Sequence, residues 1–126
     1  MLADTKAISG FAVDDIDAAK RFYGETLGLR LTVLDEGHGL LSLNLAGDRD
    51  TFVYAKPDFE PATYTILNFE VDDIDVAVEE LSSRGVGVER YEGSNQDEKG
   101  IARGPGPSIA WFKDPAGNIL SVLQQP

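Results

Sequence analysis

The pentapeptide Val-Asp-Asp-Ile-Asp stands twice in this chain of 126 residues, at positions 13–17 and again at 71–75, 58 residues apart. Such a repeat predicts one supersecondary unit written twice. Its surroundings match as well. A short apolar stretch precedes each copy (residues 8–13 and 66–71), and an amphipathic helical pattern follows each. In the first, Ile16, Ala19, Phe22 and Tyr23 share a helix face; in the second, Ile74, Ala77, Val78 and Leu81 do. The aspartates suit N-cap and first-turn positions, where carboxylates meet free N–H groups and the positive end of the helix dipole. Gly28 and Gly85 punctuate the helix ends.

Strand-like segments follow each helix. The first half offers residues 29–34, 40–45 and 51–55; the second offers 86–91, 108–113 and 119–123. Each half therefore reads β-α-β-β-β. The last hairpin turns through Asp114-Pro115-Ala116-Gly117, where proline presets φ and glycine tolerates a positive one. Three strands per helix joined by tight turns favour antiparallel pairing. The expected fold is α+β, two tandem βαβββ modules forming curved, antiparallel-rich sheets. Residues 1–126 form a single domain, with module one over about 5–56, a linker over about 57–62, and module two over about 63–126.

The composition removes several classes of function. There is no cysteine, so disulfides, thiolate zinc sites, iron–sulfur clusters and cysteine nucleophiles are excluded. The one histidine, His38, cannot supply the paired imidazoles of common zinc or non-haem iron centres. The net charge of −11 repels phosphate backbones and anionic lipid heads, which disfavours nucleic-acid and membrane partners. The same charge serves solubility or an acidic site for a cationic ligand. No apolar run reaches the length of a membrane span, and a cytoplasmic protein is expected.

One segment has no counterpart in the first half. Residues 92–107, EGSNQDEKGIARGPGP, are polar, glycine-rich and long enough for a lid or a binding loop. No Gly-Lys-Ser/Thr follows the glycines, so the segment is not a phosphate cradle.

The stretches FAVDDIDAAKRFYGETLGLRL (11–31), NFEVDDIDVAVEELSSRGV (68–86) and WFKDPAGNILSVL (111–123) together resemble the vicinal-oxygen-chelate superfamily. That superfamily includes glyoxalases, extradiol dioxygenases, fosfomycin-modifying enzymes and bleomycin-binding resistance proteins. The resemblance implies paired modules whose sheets curl around a cup-shaped cavity, and a homodimer. Exposed sheet edges give a separate reason to expect pairing. In the superfamily's enzymes histidine or glutamate on the first and last strand of each module holds a divalent metal. Carried over by position, those ligands fall on Ile8, about Val53, Ile66 and Ser121. Three carry only carbon, and a neutral serine hydroxyl is a poor ligand for a dication. No metal site and no cofactor is expected. Without a Lewis acid, glyoxalase-type isomerisation and ring cleavage lose their chemistry.

Strand parity proposes what lines the cup. Ile66, Asn68 and Glu70 share one face, as do Ile119, Ser121 and Leu123. A four-residue turn at the last hairpin pairs Phe112 with Ile119 and aims Trp111 at the helix; a one-residue slip exchanges the two. The first-half counterparts are Ile8, Gly10, Ala12, Thr51, Val53 and Ala55. Asn68, Glu70, Phe112 and Ser121 are the expected ligand contacts, with Tyr91, Arg103 and Lys99 closing over a bound molecule. Three functions remain open. The first is a metal-free receptor for a small organic molecule, aromatic or cationic, similar to the drug-sequestering members. The second is an enzyme, either glyoxalase- or dioxygenase-like with displaced metal ligands or a metal-independent isomerase or lyase with Glu70 as general base. The third is a non-catalytic structural subunit.

Overall fold

In each half of the chain the second aspartate of the repeated pentapeptide starts a helix. The computed structural model describes residues 1–126. Asp15 Oδ1 accepts the N–H groups of Asp17 and Ala18 at 3.0 and 3.2 Å, and Asp73 Oδ1 accepts those of Asp75 and Val76 at the same two distances. These bonds satisfy donors that the first helical turn leaves free. Helix α1 (Ile16–Lys20) runs into a π-helical turn, Arg21–Thr26, closed by Leu27 N–H on the Phe22 carbonyl at 2.9 Å. The adjacent Phe22 and Tyr23 are both buried here, with ring centroids 5.1 Å apart and edge to face. Helix α2 (Ile74–Ser83) buries Ile74, Val78 and Leu81. Gly28 and Gly85 leave the helical segments at φ of 71° and 79°, where a side chain would be strained.

The chain divides into two compact units, Met1–Glu60 and Pro61–Pro126. The first holds β1 (Ser9–Val13), β2 (Leu31–Asp35), β3 (Leu40–Leu43) and β4 (Thr51–Ala55) in the order β1-β4-β3-β2. The second holds β5 (Thr65–Glu70), β6 (Ser108–Lys113) and β7 (Ile119–Gln124) in the order β5-β7-β6. The fold is mixed α+β. Each sheet is antiparallel except at one place: β1 pairs with β4, and β5 with β7, in parallel. A helix and two reversals bring the last strand back in the direction of the first.

The segment 86–91, expected as a strand, makes a single ladder contact. Glu89 N–H donates to the Trp111 carbonyl at 2.8 Å. Residues 92–107 then fold down against α2. Asp97 Oδ1 accepts the N–H groups of Lys99 and Ile101, each at 2.9 Å. Ile101 is fully buried, and Ala102 and Ile109 exchange backbone bonds at 2.8 and 3.1 Å. Arg103 reaches Asp97 at 3.0 Å and Asp75, in the first turn of α2, at 2.8 Å. Lys99 binds Asp75 and Glu79 at 3.3 and 3.1 Å. Arg103 and Lys99, expected to close over a ligand, thus clasp the segment to the helix. The acids of α2 supply the nearest opposite charge and draw the two cations there.

The last hairpin fixes which face each residue of β6 and β7 takes. Asp114 N–H donates to the Asn118 carbonyl, and Gly117 N–H to that of Asp114, both at 3.0 Å. The loop therefore has three residues, with Gly117 at φ 94°, and Asn118 joins the ladder. Pairing becomes Lys113 with Ile119, Phe112 with Leu120 and Trp111 with Ser121. The four-residue turn expected from sequence was one residue too long. Phe112 accordingly joins Ala110, Leu120 and Val122 in the core that α2 covers. In the first unit the parallel register sets Val53 beside Phe11 and Leu41, all buried. The face of Gly10 and Ala12 is completed by Phe52 and Tyr54, so Thr51, Val53 and Ala55 leave it.

Two outcomes are expected. Phe112→Ala should cost about 3–5 kcal/mol in urea unfolding, and Trp111→Ala clearly less; equal losses would contradict the face assignment. The second concerns pH. The Arg103 guanidinium holds the Asp75 carboxyl below the ordinary aspartate range. For Asp97, partial burial pulls upward, but the Ile101 N–H, the Arg103 guanidinium and the Lys99 N–H outweigh it and the pKa is lowered. Folded-state values below the unfolded ones make the clasp fully stabilising above about pH 4 and lost as pH falls through the lowered values. Hydrogen-exchange protection of the Lys99 and Ile101 amides should therefore hold from neutral pH down to about 5 and decline below about 4. Undiminished protection at lower pH would contradict this.

Candidate functional site on the second sheet

The three strands of the second unit bring Asn68, Ser121 and Trp111 into one row across the sheet, on the face opposite the buried Phe112 and Leu120. Ser121 is fully buried, and its Oγ–H donates to Asn68 Oδ1 at 2.5 Å. Asn68 is exposed and keeps its amide N–H groups free of any bond within this pair. Next along the sheet, Glu70 pairs with Leu123, and Leu123 with Ile109. Tyr91 stands edge to face on Trp111, ring centroids 5.5 Å apart and planes at 81°. Its hydroxyl is buried without a hydrogen-bond partner. The row presents two aromatic rings and an amide that the buried Ser121 hydroxyl holds, with one carboxylate at its end. Such a surface suits a flat organic molecule that stacks and accepts hydrogen bonds.

Of the residues expected from sequence, Asn68, Glu70, Tyr91 and Ser121 lie in or beside this row. Phe112 lies beneath α2, where the three-residue hairpin turns it, and Arg103 is engaged on the helix. Trp111 takes the place reserved for Phe112; a three-residue loop closed by glycine is the signal that identifies it. Glu70 is exposed. The apolar burial that a general base at this position requires is missing. His38, in the turn between β2 and β3 of the first unit, is exposed, and its Nδ1 lies 2.8 Å from Asp35 Oδ2.

Strand pairing fixes which residues stand at the four metal positions. The offset of 58 between the repeats carries Gly10 onto Asn68. The strand partner of Asn68 is Ser121, and that of Gly10 is Phe52. Phe52, not the core residue Val53, is therefore the first-unit counterpart of Ser121. The four positions read Ile8, Phe52, Ile66 and Ser121. Three end in carbon, and the fourth has committed its hydroxyl to Asn68. No three or more His, Asp or Glu side chains gather in a group able to hold an ion. These residues do not fit a divalent metal.

Concavities elsewhere have another character. A groove of about 580 Å³ in the first unit is lined by Asp17, Lys20, Arg21, Glu25 and Leu31, among others. One of about 320 Å³ in the second lies along Val78, Glu79, Val86, Arg90 and Lys99. Both are open, carry charges of both signs, and contain none of the residues of the row. No helix is long and apolar enough to cross a membrane.

Comparisons with known proteins agree with this architecture. An antibiotic binding protein from Streptomyces sp. CB03234, TnmS3, is 27% identical and superposes with a TM-score of 0.72 over 98% of each chain. A glyoxalase family protein from Bacillus anthracis is 22% identical, with a TM-score of 0.72 over 100% of both chains. The fosfomycin resistance protein FosX from Listeria monocytogenes shares the fold at 13% identity and a TM-score of 0.71, over 98% of this chain and 94% of the other. Among curated proteins no significant sequence match is found. The profile of the Glyoxalase/Bleomycin resistance protein/Dioxygenase superfamily matches residues 7–122, nearly the whole length, and the chain belongs to that superfamily.

Proposed function

We propose that this protein binds a planar small organic molecule of the antibiotic kind without transforming it, as a homodimer. The observation that carries the reading is the donor set: Ile8, Phe52 and Ile66 offer carbon where the superfamily's enzymes need nitrogen or oxygen. The rings of Trp111 and Tyr91 supply stacking surface and the exposed Asn68 amide, held by the buried Ser121 hydroxyl, supplies hydrogen-bond donors, which is what sequestration requires. The antibiotic binding neighbour at 27% identity supports the same direction. The acidic balance, −11 overall, favours a ligand with positive charge. An enzyme using Glu70 as a base is less well supported, because that carboxylate stands in solvent. The free edges of β1 and β5 support self-association.

Titration with a glycopeptide antibiotic such as bleomycin and with planar aromatic cations, followed by calorimetry so that parent and Trp111→Ala are read alike, tests the reading. At least one compound of the set should bind and raise the melting temperature. Trp111→Ala should then weaken binding about tenfold, the loss of one well-packed aromatic contact. Sedimentation should give a dimer. A set in which nothing binds, or binding untouched by Trp111→Ala, would overturn the assignment.

A further inference from the structure

We infer that Gln96, backed by the ionic clasp of residues 92–107, is the positioning residue that sets Tyr91 against Trp111; as a statement about ligand affinity it rests on the function proposed above.

Apart from the Ser94 N–H on the Tyr91 carbonyl at 3.2 Å, which closes a local turn, the main chain leading to Tyr91 depends on the Gln96 side chain. After the single contact of Glu89 N–H with the Trp111 carbonyl, no strand pairs with residues 90 and 91. Gln96 takes the place of the missing strand. Its Oε1 accepts the Tyr91 N–H at 2.7 Å. Its Nε2 donates to the Glu89 carbonyl at 2.8 Å and to the Gly100 carbonyl at 2.7 Å. One side-chain amide thus answers a donor and an acceptor two residues apart, as a neighbouring peptide group does in a ladder.

Tyr91 itself adds no polar anchor. Its hydroxyl is buried and unpartnered, an unfavourable state that cannot be what holds the ring in place. The ring is located by its backbone and by contact with Trp111. Gln96 is in turn fixed from both sides. Gly100 sits at φ +86°, and a Cβ there would lie 2.5 Å from Val88 Cγ1, so the turn that presents its carbonyl needs glycine. Arg90 donates to the carbonyls of Asp97 and Glu98 at 2.9 and 2.6 Å. Arg103 ties Asp97 to Asp75 of α2. The segment is a scaffold fastened to the helix, and its product is the placement of one aromatic ring.

Trp111 is the sole tryptophan, so its near-ultraviolet circular dichroism reads the Tyr91 contact in the free, full-length protein. Gln96→Met keeps the length of the side chain and removes its three bonds. Loss of the Trp111 band is expected, with faster exchange of the Tyr91 amide, while the far-ultraviolet spectrum stays as in the parent. In the parent, salt that screens the exposed Arg103 pairs should reduce the band in part; Arg103→Gln should reduce it likewise and leave it indifferent to salt, and this variant decides the question if Gln96→Met does not fold. Proflavine, a planar cation, should bind both variants more weakly than the parent. An unchanged Trp111 band in the folded variants would overturn the inference. Failure of the parent to bind proflavine or any other compound of the set counts against the proposed function, and leaves the spectral result to judge the positioning by itself.

Discussion

Parallel pairing of the first and last strands within each unit is the constraint on which the rest depends. Once β7 lies beside β5 in register, Asn68 meets Ser121, and the three-residue hairpin carries Trp111 into the same row. The alternate residues Phe112 and Leu120 are thereby committed to the helix, with Leu67 beside Leu120 on the same face. A shift of one residue anywhere in this ladder would bury the polar row and expose the core. The sheet is held in that register from both sides: by the apolar face of α2, and by the bond between Asp114 and Asn118 at the hairpin.

Much of this architecture is legible in the chain. The repeated pentapeptide marks two helix starts, and Asp15 and Asp73 cap them as their chemistry requires. Order, helix ends and most strands follow from periodicity and glycine placement. What escapes is parity. Alternation alone does not say whether Asp114 belongs to the turn or to the ladder, and that single residue exchanges Trp111 with Phe112. Val53 and Phe52 exchange for a related reason, since the parallel partner of β1 is fixed by pairing and not by local pattern. The strand expected at 86–91 gives way at its end to a side chain a few residues on, Gln96, which meets the Glu89 carbonyl and the Tyr91 N–H. No local signal announces such a substitution of side chain for strand. Arg103 is similar: its basic charge is plain in the sequence, whereas the acids it answers, Asp75 and Asp97, are chosen by the fold.

The superfamily places metal chemistry on a scaffold of this type in some members and plain binding in others, so the function of a member has to be argued from its site. Here the site speaks through side-chain chemistry. Carbon occupies three of the four positions where a dication needs donors, and Ser121 uses its hydroxyl to hold Asn68. What remains on the sheet is two aromatic rings and one amide. The ionic clasp behind Tyr91 belongs to the same picture: residues outside the row, Gln96, Arg103 and Asp97, fasten the segment that carries that ring.

Metal analysis of the purified protein, after equilibration with excess zinc, nickel and manganese and removal of the unbound ions, addresses the central claim most directly. Well below one ion per chain should remain, with no difference between the parent and Ser121→Ala. One tightly held ion per chain, released by Ser121→Ala, would contradict the account.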